Sequence, residues 1–242
     1  MTVAASTGPS LKSAAWRALG TVLDPELDQP ITELNFVAAL EVGEGADIHL
    51  DLRLPTYFCA PNFAYLMVSD ADEVLRALPG VGRVRVRLVD HFAAEEINAG
   101  VAAGAGFGGA FPGMACDELA ELRRTFLRKA HSAYQERLAN EFLRAGGTSE
   151  ELVSARLREA PEGWVLTRLH RRREALGLPT GPEAPLLVDD GGRPLDAEEL
   201  PVRLRFARTT RVSIEGNAGW CRGLLTTRYD PSRPADANDI AN

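Results

Sequence analysis

The sequence predicts an α+β fold: a small α-β-β-α-β module, followed by a helical segment and a few C-terminal β-strands. Three observations carry that expectation. Ile48, Leu50, Leu52 and Leu54 alternate with His49, Asp51 and Arg53, the period of a strand with one face in a core. A second alternation, Arg with Val or Leu, runs through "RVRVRLVDHF" from Arg83 to Phe92. Leu119, Leu122, Phe126, Ala130 and Ala133 fall at helical spacing within a long segment from Asp117 to Arg144.

The first element is a helix over Leu11–Leu23, with Ser10 as its cap and Leu11, Ala15, Leu19 and Val22 on one face. Pro25 stops it, because proline disfavours helical geometry at the residue before it. "FVAALEV" and "ADIHLDLRL" read as two strands joined by the turn "GEGA". A helix from Cys59 or Ala60 to Ala77 follows and is closed by "LPGVG", after which comes the third strand. Residues 1–99 thus form one α/β module. Gly100–Ala115 is glycine-rich and reads as a flexible connector; its formal G-x-G-x-x-G (Gly104 to Gly109) is in the wrong place for a dinucleotide fingerprint, which follows the first strand of a βαβ unit. Residues 116–230 form a helical plus β accessory region. There, Thr148 and Glu151 make a capping box, and a further helix runs from Pro161 to Gly177. "APLLVDDGGRPL", "LPVRLRFARTTRVSIE" and "CRGLLTTRY" read as strands, the first around a turn at Asp190-Gly191. Residues 231–242 are polar and read as a disordered tail.

With 242 residues, 45% hydrophobic and 25% charged, the composition is that of a globular protein with ample apolar mass for a core. No apolar run approaches the roughly 18 residues of a membrane span, and no secretory signal is evident, so the expectation is a cytoplasmic protein with no membrane partner. Three cysteines, Cys59, Cys116 and Cys221, are too few for a disulfide framework. Charge is uneven: residues 1–115 carry 7 Lys+Arg against 14 Asp+Glu, a net of −7, whereas residues 116–242 carry 20 of each. An acidic first half argues against nucleic acid as a partner. The basic run "RLHRRRE" (Arg168–Glu174) reads as a solvated helix face.

Chemistry centres on "RLPTYFCAPNFAYLM", Arg53 to Met67. Cys59 stands at a helix start, where unpaired N–H groups and the helix dipole favour a thiolate, and Pro61 is tolerated in the first turn. Thr56 is near enough in sequence to donate its hydroxyl to the sulfur. The same cysteine also suits a buried core position, since free cysteine is among the most buried residue types. Asp24 and Glu26, in "DPEL", are either solvated turn residues or an oxygen-ligand pair. His91 is either a hydrogen-bonded structural residue or a metal ligand. Cys116 reads as a capping-turn residue and Cys221 as core. No Ser/His/Asp order, Walker loop, H-E-x-x-H or C-x-x-C is present, so neither a catalytic residue nor a closed zinc site is assigned.

"VLDPELDQPITELNFV" (Val22–Val37), "IHLDLRLPTYFCAP" (Ile48–Pro61) and "LPGVGRVRVRL" (Leu78–Leu88) together resemble the SufT- and PaaD-type family of iron–sulfur cluster assembly factors. That resemblance implies a small α/β module whose cysteine, here Cys59, handles iron or a cluster in transit, with Asp24 and Glu26 at the family's acidic turn. Where the family has Cys-Pro, this chain has Cys59-Ala60-Pro61. The second half, with "RLHRRREALGLP" and "NAGWCRGLLTTRY", resembles longer relatives found with bacterial soluble diiron monooxygenases of the propane-oxidising type. The implied function is a metallocofactor maturation factor for a client metalloprotein such as a diiron monooxygenase. Cys59 and Thr56 would hold the cargo, with Asp24, Glu26 and His91 as further metal ligands, and two chains could share a site as a homodimer. Two other readings remain open: a cysteine-dependent acyl- or sulfur-transfer enzyme, and a docking chaperone that binds no metal.

Overall fold

The computed structural model describes residues 10–111 and 116–229. The chain divides into two compact units, one comprising residues 1–119 with 218–242, the other residues 120–217.

In the first unit, helix α1 (Leu11–Leu19) starts where the Ser10 hydroxyl accepts from the Ser13 N–H, and it buries Ala15 and Leu19. It ends four residues earlier than its apolar pattern predicts; Val22 is buried from the turn that follows. Strands β1 (Val37–Val42), β2 (Ile48–Arg53) and β3 (Val84–Val89) form one sheet in that order. The β1–β2 pair is antiparallel, as a short turn requires. The β2–β3 pair is parallel, because helix α2 (Pro61–Arg76) carries the chain across between them. Ile48, Leu50 and Leu52 of β2 and Val84, Val86 and Leu88 of β3 lie on the buried face. On the other face Arg87 donates two hydrogen bonds to Asp51, at 2.8 Å each. The close of "LPGVG" needs glycine: a Cβ on Gly82 would stand 2.4 Å from the Gly45 carbonyl oxygen.

The described part of the glycine-rich stretch is not an open connector. Helix α3 (Ala94–Ala102) runs through its start and α4 (Gly106–Ala110) follows. The glycines act by permitting close packing: a Cβ on Gly100 would meet Ala110 Cβ at 2.4 Å. Phe107 is buried with its ring 5.3 Å from that of Tyr65. Residues 112–115, the rest of that stretch, lie outside the described residues, as does the expected disordered tail.

Helix α5 (Cys116–Arg144) leads into the second unit. Helix α6 (Ser149–Ser154) opens with the expected capping box: Thr148 accepts from the Glu151 N–H, and Glu151 from the Thr148 N–H. Helix α7 (Trp164–Leu176) stops at Gly177, whose φ of 69° is the left-handed cap. Leu138, Leu152, Leu157, Leu169 and Leu186 form this unit's core. The "RLHRRRE" run is not a wholly solvated face. Arg172 and Arg173 are buried, and Arg173 donates to the carbonyls of Pro179, Pro185 and Leu186 at 3.2, 2.9 and 2.8 Å. It thereby organises the irregular segment after α7, with Gln135 bracing Val188 from α5.

The α+β class holds, but the expected C-terminal strands do not form. Helix α8 (Leu200–Arg228) replaces two of them, and the turn at Asp190-Gly191 is flanked by only an isolated bridge between Val188 and Pro194. The alternation Val202, Leu204, Phe206 suggested a strand. Val202 and Phe206 are exposed, however, and burial falls at Leu200, Ala207, Ala218 and Leu225, with Leu204, Ile214 and Cys221 half-buried. These positions follow the helical period. Pro201 costs the helix nothing, since the first turn has no N–H partner to lose.

Candidate functional site

β2 ends at Arg53, and the chain turns through Pro55–Ala60 before α2 begins at Pro61. Ala60 is the N-cap residue and Pro61 occupies the first helical turn, as the sequence suggested. Cys59 therefore stands one position before the cap. It is half-buried and packs against the core of the first unit, so its core and site readings are not mutually exclusive. Thr56 Oγ1 lies 3.2 Å from its sulfur.

His91 sits in the turn after β3 and is buried. Its Nδ1 accepts from the Ala93 N–H at 3.2 Å, which places the ring proton on Nε2, and Nε2 donates to the Cys59 carbonyl at 2.7 Å. Burial pushes this imidazole below its ordinary pKa, against the pull of the Cys59 carbonyl, and nearby Arg228 lowers it further. Both ring nitrogens are thus engaged by backbone. His91 shapes the Cys59 loop, and ligating a metal would require breaking one of those bonds. The Phe92 N–H adds a second tie to the loop at Tyr57 O, 3.1 Å away.

Asp24 is 8% exposed. Its Oδ1 accepts from the N–H groups of Glu26 (2.9 Å) and Leu27 (2.8 Å), which closes the "DPEL" turn. Desolvation nevertheless dominates, and the carboxyl is raised to about 6 with Glu26 and Asp28 adding to the rise. "DPEL" is therefore both a turn and a buried acid.

Sequence reasoning set Cys221 aside as a core residue on a strand. On α8 it belongs to the face that carries Ala218 and Leu225 into the same core against which Cys59 packs. Burial pushes its thiol up to about 11, and the charges of Asp24, Cys59 and Glu26 push in the same direction. Arg222 donates to Gln29 Oε1 at 2.7 Å, and Arg228 to the carbonyls of Leu54 (3.2 Å) and Asp90 (2.7 Å). These bonds fasten the end of α8 to Gln29, two residues past "DPEL", and to the exits of β2 and β3. Cys59 and Cys221 are free thiols. Among the described residues no three His, Cys, Asp or Glu side chains already stand together as a metal site. Around Cys59 three aromatic rings cluster: Tyr57 and Phe58 at 5.0 Å, and Phe58 and Phe92 at 5.9 Å, with Phe58 74% exposed. No helix among the described residues is long and apolar enough to cross a membrane.

Residues 12–86 match the family described as "Iron-sulfur cluster assembly protein". That segment contains Asp24, Glu26, Thr56 and Cys59, and leaves His91 and Cys221 outside. The chain is similar to proteins named "Iron-sulfur cluster carrier protein". It is 37% identical over 78 residues to those of Mycobacterium bovis (strain ATCC BAA-935 / AF2122/97) and Mycobacterium tuberculosis (strain ATCC 25618 / H37Rv), and 32% identical over 78 residues to that of Mycobacterium leprae (strain TN). Each alignment covers 32% of this chain and 20% of the relative, so the chain spans about a fifth of the length of the curated relatives it matches. No solved structure matches the chain.

Proposed function

We propose that this protein carries iron, or an iron–sulfur cluster in transit, and hands it to a client apoprotein, with Cys59 as the transient ligand. The observation that supports this most is the Cys59 loop itself: a half-buried thiol with the Thr56 hydroxyl at 3.2 Å, its backbone fastened by His91, inside the segment that matches iron–sulfur assembly proteins. A thiolate is a suitable ligand for iron and its sulfide clusters, and a site with few protein ligands leaves positions from which a client can take the cargo. The exposed rings of Phe58 and Phe92 flank that thiol with an apolar surface suited to a client protein. That the client is a diiron monooxygenase, and that two chains share one cargo, rest on sequence resemblance and on the small number of ligands per chain.

Anaerobic reconstitution with ferrous iron and sulfide tests the reading. The wild-type chain should take up iron and develop sulfur-to-iron charge-transfer absorption. Cys59→Ser should lose both by about tenfold or more while keeping the wild-type circular dichroism, because the change is nearly isosteric but removes a soft ligand. Equal iron uptake by the two proteins would overturn it. In cells, co-expression with a diiron monooxygenase should give an iron-poor oxygenase when Cys59→Ser replaces the wild type.

A further inference from the structure

The second unit holds a cavity of about 190 Å³ between α5, the segment 187–195 and the start of α8. Leu187, Leu195, Leu204 and Ala207 give it apolar walls, and the exposed Phe206 ring stands at its rim. His131 lines the same cavity from α5, although only 2% of it is exposed. Arg173 Nε donates to its Nε2 at 3.4 Å, and a guanidinium can only donate, so the imidazole proton sits on Nδ1. That Nδ1–H has no acceptor among the described residues, and a buried donor without a partner is costly. The polar groups beside it are otherwise engaged. Gln135 is spent on the main chain of Val188, and Asp189 on Arg193 and the Gly191 N–H. Asp190, the remaining acid of the lining, is exposed.

Behind His131 stands a charge without a counter-ion. Arg173 is fully buried, and its bonds go to three carbonyls, Gln135 and His131, with no carboxylate on it among the described residues. Buried charges are ordinarily paired. Arg203 lines the cavity too; it is exposed and adds a second positive charge at the mouth. We infer that this cavity binds a small carboxylate with a compact apolar body, one oxygen accepting from His131 Nδ1 and the body lying against the leucines. Burial holds the imidazole neutral, so it serves as a donor, and the Arg173 and Arg203 charges favour an anion over a neutral acceptor. A dry aliphatic cavity of roughly 150 Å³ is enough for a benzene ring, so the body is about one ring or a short branched chain. An apolar C-terminal residue of a polypeptide presents the same chemistry as such a free acid. The site is independent of the carrier reading.

Calorimetric titration of the full chain with benzoate and with its uncharged isostere benzamide tests this. A tetrapeptide ending in phenylalanine, as free acid and as C-terminal amide, forms the second pair. In the pair that fits, the acid should bind about tenfold or more tighter than the amide. Benzoate as the tighter acid identifies a free small molecule, and the peptide as the tighter acid a polypeptide terminus. Nitrogen-15 spectra of the wild-type imidazole should show the His131 Nδ1 resonance move as the acid is added. His131→Leu should weaken the acid by about tenfold or more, the loss of one hydrogen bond to a charged acceptor. Ala207→Leu, which fills the cavity and leaves every polar group in place, should weaken it at least as much. Far-ultraviolet circular dichroism checks that both variants are folded. No binding of either acid in the millimolar range, equal affinity for acid and amide, or undiminished affinity in folded His131→Leu or Ala207→Leu would overturn the site.

Discussion

The two compact units bury their charged groups in opposite ways. In the second unit Arg173 is fully buried, and its guanidinium is spent on three main-chain carbonyls, with Gln135 and His131 at its remaining edges. Desolvation lowers it only to about 10, so it stays charged, while burial, with the Arg173 charge adding to it, pushes His131 down to about 3. The group is saturated by the protein's own chain. In the first unit Asp24 is almost as buried, but the protein gives it backbone N–H donors on one oxygen and further acids as neighbours. Burial thus leaves a charged group satisfied by main chain in one unit and a carboxyl raised to about 6 in the other. A buried charge whose partners are all internal is a structural member; one surrounded by like charge is a binding-site candidate.

The sharpest way to break this comparison is Arg173→Ala. It leaves three carbonyls of the 179–186 segment without their donor and opens a cavity, so the second unit should lose about 3–5 kcal/mol. Hydrogen exchange read by mass spectrometry should accelerate in α7 and residues 179–195, with β1–β3 unchanged. Equal acceleration in the sheet would mean that the two units unfold as one.

Acid should act next. His131 titrates near 6.5 when unfolded and about 3 when folded, so below pH 6.5 the unfolded chain binds more protons. The stability this gives is full above pH 6.5 and is lost as pH falls toward 3, about 2 kcal/mol of it between pH 6.5 and 5. Urea unfolding of the second unit, followed through α7, should show that slope, and His131→Gln should flatten it. A wild-type slope of zero would mean that the imidazole is not held neutral by burial.

Asp24→Asn should give the smallest change in stability, with the opposite sign. The amide oxygen can still accept from Glu26 and Leu27, while the buried charge is gone. The first unit should therefore gain about 1–2 kcal/mol at pH 7, less than the full cost implied by a carboxyl raised to about 6. Iron affinity should fall in the same variant. Higher stability with undiminished affinity would separate Asp24 from the cargo site.

Much of the first unit was legible because its signals are local. The alternation from Ile48 to Leu54 has a single reading, and Pro61 with Cys59 marks a helix start whatever surrounds it. Thr56 and Cys59 lie three residues apart, so their contact follows from the turn alone. The α8 region failed for an equally physical reason: "VRLRFARTTRV" satisfies period two, and several of its apolar residues, Val202, Phe206 and Val212, are exposed. The burial that selects the helix is set by where Leu200, Ala207, Ala218 and Leu225 find a core, which periodicity does not encode. His91 was legible as a candidate but not as a brace, because its partner is the backbone of Cys59, 32 residues away. By itself, then, the sequence determined the α-β-β-α-β module, its turns, the acidic balance and the position of Cys59 before α2. Only the tertiary structure decided that Cys221 lies on the α8 face packed against the core that Cys59 also meets. Local propensity acts over a few residues, whereas that meeting depends on which helix face finds the core after most of the chain has intervened.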